Sequence, residues 1–182
     1  MKRFFAVSLA FFVLAACQNT STTVRKSSTS NVYQQLEGAG LVLKQDVAVS
    51  AGKARAFVQD GDVRSGFDSY KPHCAFEIST INHDGFTIEA DTFAITRVQG
   101  QMLQVVSIEP IRLAGLQLAG GLGGSGGSSS YYDGYHFWLS SVKQPEVRRL
   151  SCFGVYAQPY ELYPPTLEDI RQVLGSLAEI RQ

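Results

Sequence analysis

The chain has 182 residues and is balanced in charge, with 16 Lys and Arg against 16 Asp and Glu. It carries no basic stripe, so nucleic-acid binding, which neutralises phosphates with clustered Lys and Arg, is not predicted. Residues 36–182 are long enough to form a single domain with its own hydrophobic core.

The N-terminal segment has the pattern of a secretory signal. Lys2 and Arg3 precede the apolar run Phe4–Ala16, which is too short to span a bilayer core of about 30 Å as a helix. The run ends in Leu14-Ala15-Ala16-Cys17, which resembles the lipobox of bacterial lipoproteins. That resemblance implies a signal peptide at residues 1–16, cleavage before Cys17, and acylation of Cys17 with chains such as palmitate. Several acyl chains on one residue anchor a protein stably to a membrane.

The residues after Cys17 indicate which membrane would hold the lipoprotein and how far the domain would extend from it. In the lipoprotein class an aspartate after the cysteine favours retention in the inner membrane. This chain has Gln18, which favours the outer membrane with the domain facing the periplasm; an inner-membrane or cell-surface position is the alternative. Residues 17–35 are polar and rich in Ser and Thr, which predicts a lipidated, disordered tether with a reach of roughly 25 Å.

Residues 41–157 predict an antiparallel sheet. Most of this region alternates polar and apolar residues, the period of a half-buried strand. The fold class is therefore mainly β, either an open sheet or a curled barrel or sandwich of about eight short strands. Ala51-Gly52 is predicted to form a hairpin turn, Asn82–Gly85 a second turn, and Gly100 a boundary between strands. The predicted strands are LVLKQDVAV, KARAFVQ, CAFEIST, FTIEAD, TFAITRV, QMLQVVSIE, YHFWLSSV and VRRLSCFGVY.

The C-terminal residues change to a helical period. Thr166 is a suitable N-cap, and Glu168 and Asp169 suit the first turn of a helix. Apolar residues then recur three and four apart, which predicts an amphipathic helix at 166–180. We expect the helix to pack on the sheet; a partner-binding helix is the alternative. The apolar residues are Leu167, Ile170, Val173, Leu174, Leu177 and Ile180.

Two cysteines remain once Cys17 is lipidated. In an oxidising compartment Cys74 and Cys152 predict a disulfide that ties an early strand to a late one. The alternative is a metal site that uses Cys74 with His73 and His83. No C-x-x-C or H-x-x-x-H spacing supports it, so no metal is predicted.

The Gly/Ser-rich loop at 118–130 matches two catalytic patterns by letter. Gly121–Gly126 fits the dinucleotide pattern G-x-G-x-x-G, and Gly123–Gly127 fits the nucleophile elbow around Ser125. Both patterns need a strand before the motif and a helix after it, and a strand-like segment follows here. Asp133 and His136 follow Ser125 in the order of a triad, but they are too close in one segment to be held by separate elements. We predict no cofactor and no catalytic serine.

Other side chains offer weaker signals for a site. Tyr131, Tyr132 and Tyr135 follow the Gly/Ser-rich loop, a composition typical of binding loops; an insertion without a role is the alternative. Glu77 and His136 are candidates for acid–base chemistry, but nothing in the sequence brings them together. Arg148 and Arg149 are predicted to point to opposite faces of a strand.

These observations predict a lipid-anchored, non-enzymatic accessory, assembly or binding factor with an envelope protein as its partner. In general plan the chain resembles small outer-membrane lipoproteins such as pilotins and assembly lipoproteins. Three alternatives remain at this stage: an inhibitor of lysozyme or proteases, an enzyme acting on cell wall or lipid, and a purely structural lipoprotein.

Overall fold

The structure, a computed structural model, describes residues 36–106 and 130–182. The predicted signal peptide, the predicted tether and nearly all of the Gly/Ser-rich loop lie outside the described residues. Among the described residues, no helix has the length and apolar character needed to cross a bilayer. The described elements are β1 (Gly40–Leu43), β2 (Val47–Val49), β3 (Arg55–Gln59), β4 (Asp62–Arg64), β5 (His73–Ile78), β6 (Phe86–Ile88), β7 (Asp91–Val106), β8 (Ser130–Ser140), β9 (Val147–Phe153), α1 (Leu167–Leu174) and β10 (Ala178–Arg181).

The fold is mainly β, which confirms the predicted class. Eight strands form one antiparallel sheet in the order β10-β1-β7-β8-β9-β5-β3-β4, curled into a half-barrel, and β2 pairs with β6 in a separate ribbon. The β3–β4 hairpin turns at Asp60-Gly61, whose φ angles of 56° and 83° match the twist of paired antiparallel strands. The predicted turn after β5 is confirmed, since Asn82 Oδ1 accepts a hydrogen bond from the N–H of Asp84 (2.8 Å).

Two sequence-based strand connections are wrong. A turn forms at Ala51-Gly52, but the strands that it joins do not pair as a hairpin: β2 pairs with β6, and β3 pairs with β4 and β5. Val47 and Val49 instead cover the core opposite Ile88 and Phe86 of β6. Gly100 does not separate two strands, because β7 continues through it in register with β8.

The hydrophobic core lies against one face of the sheet, here called the inner face. Strands other than the exposed β4 contribute residues to it, and Phe76, Phe93 and Phe137 are fully buried. The β2–β6 ribbon and α1 close this face, and α1 packs on β3 and β5. The other residues of each strand lie on the opposite, outer face, where the candidate site is found.

Helix α1 is shorter than the predicted 166–180. It begins after the N-cap Thr166, whose side chain exchanges hydrogen bonds with Asp169, and it ends at Gly175 with a φ of 52°. Ala178–Arg181 then forms edge strand β10 and pairs with β1. The prediction was too long because Leu177 and Ile180 continue the helical spacing, whereas the open edge of β1 supplies backbone hydrogen-bond partners that a helix would not use.

The predicted disulfide between Cys74 and Cys152 is present. The two cysteines face each other across β5 and β9, with Cα atoms 4.1 Å apart, and both are fully buried in the core. The bond therefore joins an early strand to a late one at the centre of the sheet.

Candidate functional site

A single row of side chains crosses five strands on the outer face. From β3 to β7 the paired residues are Arg55, Glu77, Arg149, Trp138 and Arg97. Directly opposed residues in antiparallel strands have Cβ atoms about 4.5–5.5 Å apart, so each side chain can contact the next. Four arginines of this face are called the arginine row below: Arg97, Arg148 and Arg149, which lie over Trp138, and Arg55 at the β3 end.

A bulge in β9 brings Arg148 into the arginine row. Glu77 pairs with Arg149 and Ile78 pairs with Val147, so Arg148 is an extra residue without a counterpart on β5. An extra residue of this kind bends the strand and redirects side chains. Arg148 and Arg149 both lie over the ring of Trp138, with guanidinium carbons 5.0 and 5.4 Å from its centroid. The prediction that these two arginines point to opposite faces is therefore wrong.

A second bulge, in β7, places Arg97. Ile95 pairs with Leu139 and Arg97 pairs with Trp138, so Thr96 is the extra residue. In a regular strand Arg97 would follow Ile95 onto the inner face, because side chains alternate with a period of two. With the bulge, the guanidinium carbon of Arg97 lies 4.4 Å from the centroid of the Trp138 ring, and Val98 packs towards the core instead.

The arginine row presents unbalanced positive charge at the surface. Arg97 and Arg148 are exposed, and among the described residues neither has a carboxylate within 4.0 Å. Attraction to the face of Trp138 contributes about 0.5–1 kcal/mol for each exposed guanidinium. That contact orients the guanidinium groups and leaves their N–H donors available to an anion.

Glu77 fixes the position of Arg149 through a hydrogen-bonded ion pair. Its carboxylate accepts hydrogen bonds from Arg149 Nε (3.0 Å) and the Ser151 hydroxyl (2.7 Å), and Arg149 Nη2 lies 2.9 Å away. Burial raises the pKa of Glu77, but the hydrogen bonds from Ser151 and Arg149, with the charges of Arg149 and Arg55, outweigh burial and lower the pKa overall. Ionised Glu77 therefore balances Arg149, and the charges of the other three arginines remain.

His136 completes this buried cluster without activating a nucleophile. Its Nδ1 lies 2.7 Å from the Ser151 hydroxyl oxygen. Because that hydroxyl donates its hydrogen to Glu77, Nδ1 must carry a proton and act as the donor. Burial, followed by the charge of Arg149, lowers the pKa of His136 to about 4, so the ring is neutral at pH 7.

The cluster contains a serine, a histidine and a carboxylate, but in the wrong order for nucleophilic catalysis. Ser151 lies between His136 and Glu77, whereas a catalytic histidine lies between the nucleophile and the acid. Ser151 is also only 1 % exposed. No pattern in the sequence predicts that Glu77 and His136 meet. The register of β5, β9 and β8 brings them together, and the resulting cluster supports Arg149.

An aromatic cluster covers another part of the outer face. The ring of Phe67 stacks on His73 with centroids 3.7 Å apart, and Tyr132 and Phe153 pack beside them. Buried Gln59 fixes the segment that carries Phe67: its Nε2 donates to the carbonyls of Asp68 and Pro72, each at 3.1 Å. The arginine row lies beside this cluster, and its Arg55, Arg97 and Arg148 are exposed to solvent.

The three predicted contact tyrosines do not form one binding surface. Tyr132 and Tyr135 are each 6 % exposed and belong to opposite faces of the sheet, the first to the aromatic cluster and the second to the core. Tyr131 is half-buried and pairs with Ala157. Two of the three tyrosines are therefore packing residues.

The residues of the alternative metal site do not converge. Cys74 is in the disulfide, His73 is buried in the aromatic cluster, and His83 lies in an exposed turn. Within residues 36–106 and 130–182, no group of three or more His, Cys, Asp and Glu side chains is placed to hold a metal ion.

An open cleft of about 560 Å³ extends the positive surface beyond Arg55. Lys53, Arg55 and Arg64 line it, and its described lining includes no carboxylate. Arg64 is partly balanced by Asp60 and Asp62, at 3.6 and 3.7 Å. Lys53 and Arg55 therefore carry most of the positive charge of the cleft.

Both bulges have a signature in the sequence. Buried apolar residues on one face of a regular strand are two apart, but Ile95 and Val98 are three apart, and so are Val147 and Leu150. A three-residue step predicts one extra residue between the two positions. Arginine occupies both intervals, as Arg97 in β7 and as Arg148-Arg149 in β9.

Chemically, the arginine row is suited to a partner that carries several negative charges. Guanidinium groups match the geometry of carboxylates and phosphates, and the partly exposed Trp138 adds flat apolar area between the arginines.

No protein-family model matches this chain, and no curated protein or solved structure is significantly similar to it.

Proposed function

We propose that this chain is a lipid-anchored protein of the bacterial cell envelope that binds another envelope component and is not an enzyme. The observation that carries the proposal is the arginine row, in which two bulges direct three guanidinium groups to one tryptophan on an open face. Aligned charge of one sign steers and orients a partner of opposite charge.

The sequence and the disulfide support the cellular setting of this proposal. Leu14-Ala15-Ala16-Cys17 resembles a lipobox, and Gln18 favours the outer membrane with the domain in the periplasm. The disulfide between Cys74 and Cys152 suits an oxidising compartment such as the periplasm.

The hydrogen bonds among the buried polar side chains of the outer face favour binding over catalysis. The serine, histidine and carboxylate that meet on the outer face are buried and satisfy one another, and together they position Arg149. Catalytic groups need access to a substrate and a geometry that transfers protons. A satisfied network beneath the partly exposed guanidinium of Arg149 instead favours rigid recognition.

The anchor is tested by metabolic labelling with palmitate. We expect the wild-type chain to incorporate label and to fractionate with the outer membrane, because the acyl chains are added at Cys17. Cys17→Ala should abolish both results. A Cys74→Ala/Cys152→Ala variant is the control and should keep its label. Label that persists in Cys17→Ala would contradict lipidation at this residue.

The binding surface is tested by crosslinking and capture from the native envelope. We expect wild type to capture an envelope component and Arg97→Gln/Arg148→Gln to lose it, because truncating interfacial charges slows association and weakens electrostatic attraction. Mass spectrometry of the captured material, run over several salt concentrations, is the measurement. Capture should weaken as salt screens the surface charges.

Arg171→Gln/Arg181→Gln is the matched control for capture. It removes the same number of charges from exposed positions, Arg171 on α1 and Arg181 on edge strand β10, each of which pairs with a carboxylate outside the arginine row. Equal loss in both variants would indicate a general effect of charge, and equal capture by all three proteins would remove the arginine row from recognition. No captured component in any sample would overturn the binding function.

A further inference from the structure

We propose that the arginine row docks the domain onto the anionic phospholipid surface of the membrane that carries the lipid anchor. This inference rests on the proposed function, because it requires both acylated Cys17 and the arginine row. The domain would then lie with its outer sheet face towards the lipid phosphates. Both the acyl chains on Cys17 and the arginine row would attach it to the membrane.

The composition of the arginine row matches the chemistry of a headgroup layer. Guanidinium groups bind phosphate oxygens through paired N–H donors, and tryptophan favours the boundary between water and lipid. Glu77 balances Arg149, whereas Arg55, Arg97 and Arg148 have no carboxylate within 4.0 Å among the described residues, and Lys53 adds a further charge just before β3. Basic residues near an anionic membrane surface each strengthen binding by about fivefold.

The shape of the site favours a surface over a single small anion. The arginine row crosses from β3 to β7, which is four strand spacings of about 4.8 Å, or roughly 19 Å. Trp138 lies between Arg149 and Arg97 on this line, so positive charges lie on both sides of it. An extended line of donors can contact several phosphates at once, whereas one ion would engage a fraction of them.

The first described residues of the chain, which follow the proposed anchor and tether, lie beside the arginine row. Residues 36–39 lie along β7 beside Arg97: the N–H of Gly38 donates to Ile95 O (2.7 Å), and Glu37 Oε1 accepts from the N–H of Val98 (3.0 Å). The chain from Cys17 therefore enters the domain at the Arg97 end of the arginine row. The eighteen residues between Cys17 and Leu36 can span at most about 65 Å. A tether of that length keeps the row at high local concentration near the bilayer, so weak contacts suffice.

Trp138 provides a direct measurement, because it is the single tryptophan of the chain. The full lipidated protein would be placed in two kinds of vesicle, phosphatidylcholine alone and equal parts phosphatidylcholine and phosphatidylglycerol. Both would carry the same trace of a lipid with a dansyl headgroup as the energy acceptor. The lipid anchor holds the protein in both vesicles, so a difference in energy transfer from Trp138 reports the position of the domain.

We expect stronger energy transfer in the anionic vesicles. The difference should disappear at about 1 M salt, where the screening length falls to about 3 Å. Arg97→Gln/Arg148→Gln should lower the ratio of docked to undocked domain by about 30-fold. Arg171→Gln/Arg181→Gln, the matched control, should behave as wild type.

Equal transfer in the two vesicle types, or equal transfer from wild type and Arg97→Gln/Arg148→Gln, would overturn membrane docking. If the arginine variant nevertheless loses an envelope protein in the capture experiment, the partner of the row is an acidic protein and the proposed function stands. If neither vesicles nor envelope components respond to the arginines, both proposals fail.

Discussion

Replacing Cys74 and Cys152 together by alanine is expected to lower the free energy of unfolding by about 4 to 5 kcal/mol. The two residues are 78 apart in sequence, and the chain-entropy model assigns a loop of that length a stabilisation of this size, mainly because the crosslink restricts the unfolded chain. Both sulfurs are fully buried between β5 and β9, so the substitutions also remove packed atoms from the core. Urea unfolding followed by Trp138 fluorescence would measure the loss.

Reductant provides the internal control for this prediction. Wild type should lose stability when it is unfolded in the presence of reductant, and the double alanine variant should not respond, since it has no bond to break. A midpoint that is the same in wild type and variant under oxidising conditions would show that the crosslink does not stabilise the fold.

Acidification from pH 6.5 to pH 4 is expected to remove several kcal/mol of stability. Burial lowers the pKa of His73 to about 4, and burial followed by the charge of Arg149 lowers the pKa of His136 to about 4. The unfolded chain binds these protons near pH 6.5, so the stabilisation is complete above pH 6.5 and is lost as the pH falls towards 4. At about 1.4 kcal/mol per pKa unit, each histidine contributes about 3 kcal/mol at most.

The lowered pKa of Glu77 adds to the loss at the acid end of this range. Once Glu77 is protonated, it no longer balances Arg149, and stability falls further below pH 4.5. Urea unfolding at a series of pH values is the measurement, and the slope between pH 6.5 and 4 reports the histidines.

Two substitutions separate the histidines. His73→Phe keeps an aromatic ring against Phe67 and removes Nδ1, a buried atom without a hydrogen-bond partner among the described residues. His136→Asn keeps a donor for Ser151 and does not titrate. Each variant should show about half of the wild-type slope. If the two together leave the slope unchanged, the acid sensitivity arises elsewhere.

Much of the fold follows from local patterns in the chain. Alternation of polar and apolar residues identifies the strands, because a strand on a core exposes every second side chain to water. Thr166 and Asp169 identify the start of α1, because a capping box uses residues three apart. The pairing of Cys74 with Cys152 needs little more than a count of cysteines once Cys17 is assigned to the anchor.

The candidate site could not be predicted from local patterns alone, although the two bulges that shape it leave a local pattern in the sequence. The three-residue steps from Ile95 to Val98 and from Val147 to Leu150 indicate bulges, but they do not say what the redirected arginines contact. Trp138 meets them because β8 lies between β7 and β9, and strand order depends on contacts between residues far apart in sequence. The same long-range pairing joins Glu77 to Ser151 and Arg149, 74 and 72 residues away.

The β class of this protein, its crosslink and the cap of its helix can be predicted from the sequence, because each depends on neighbouring residues or on a small set of partners. The end of α1 depends on a tertiary contact, because residues 178–181 pair with the edge of β1 instead of continuing the helix. The set of arginines that share a surface also depends on tertiary contacts. Register across five strands and the two bulges set that surface, and both result from packing the whole sheet around one core.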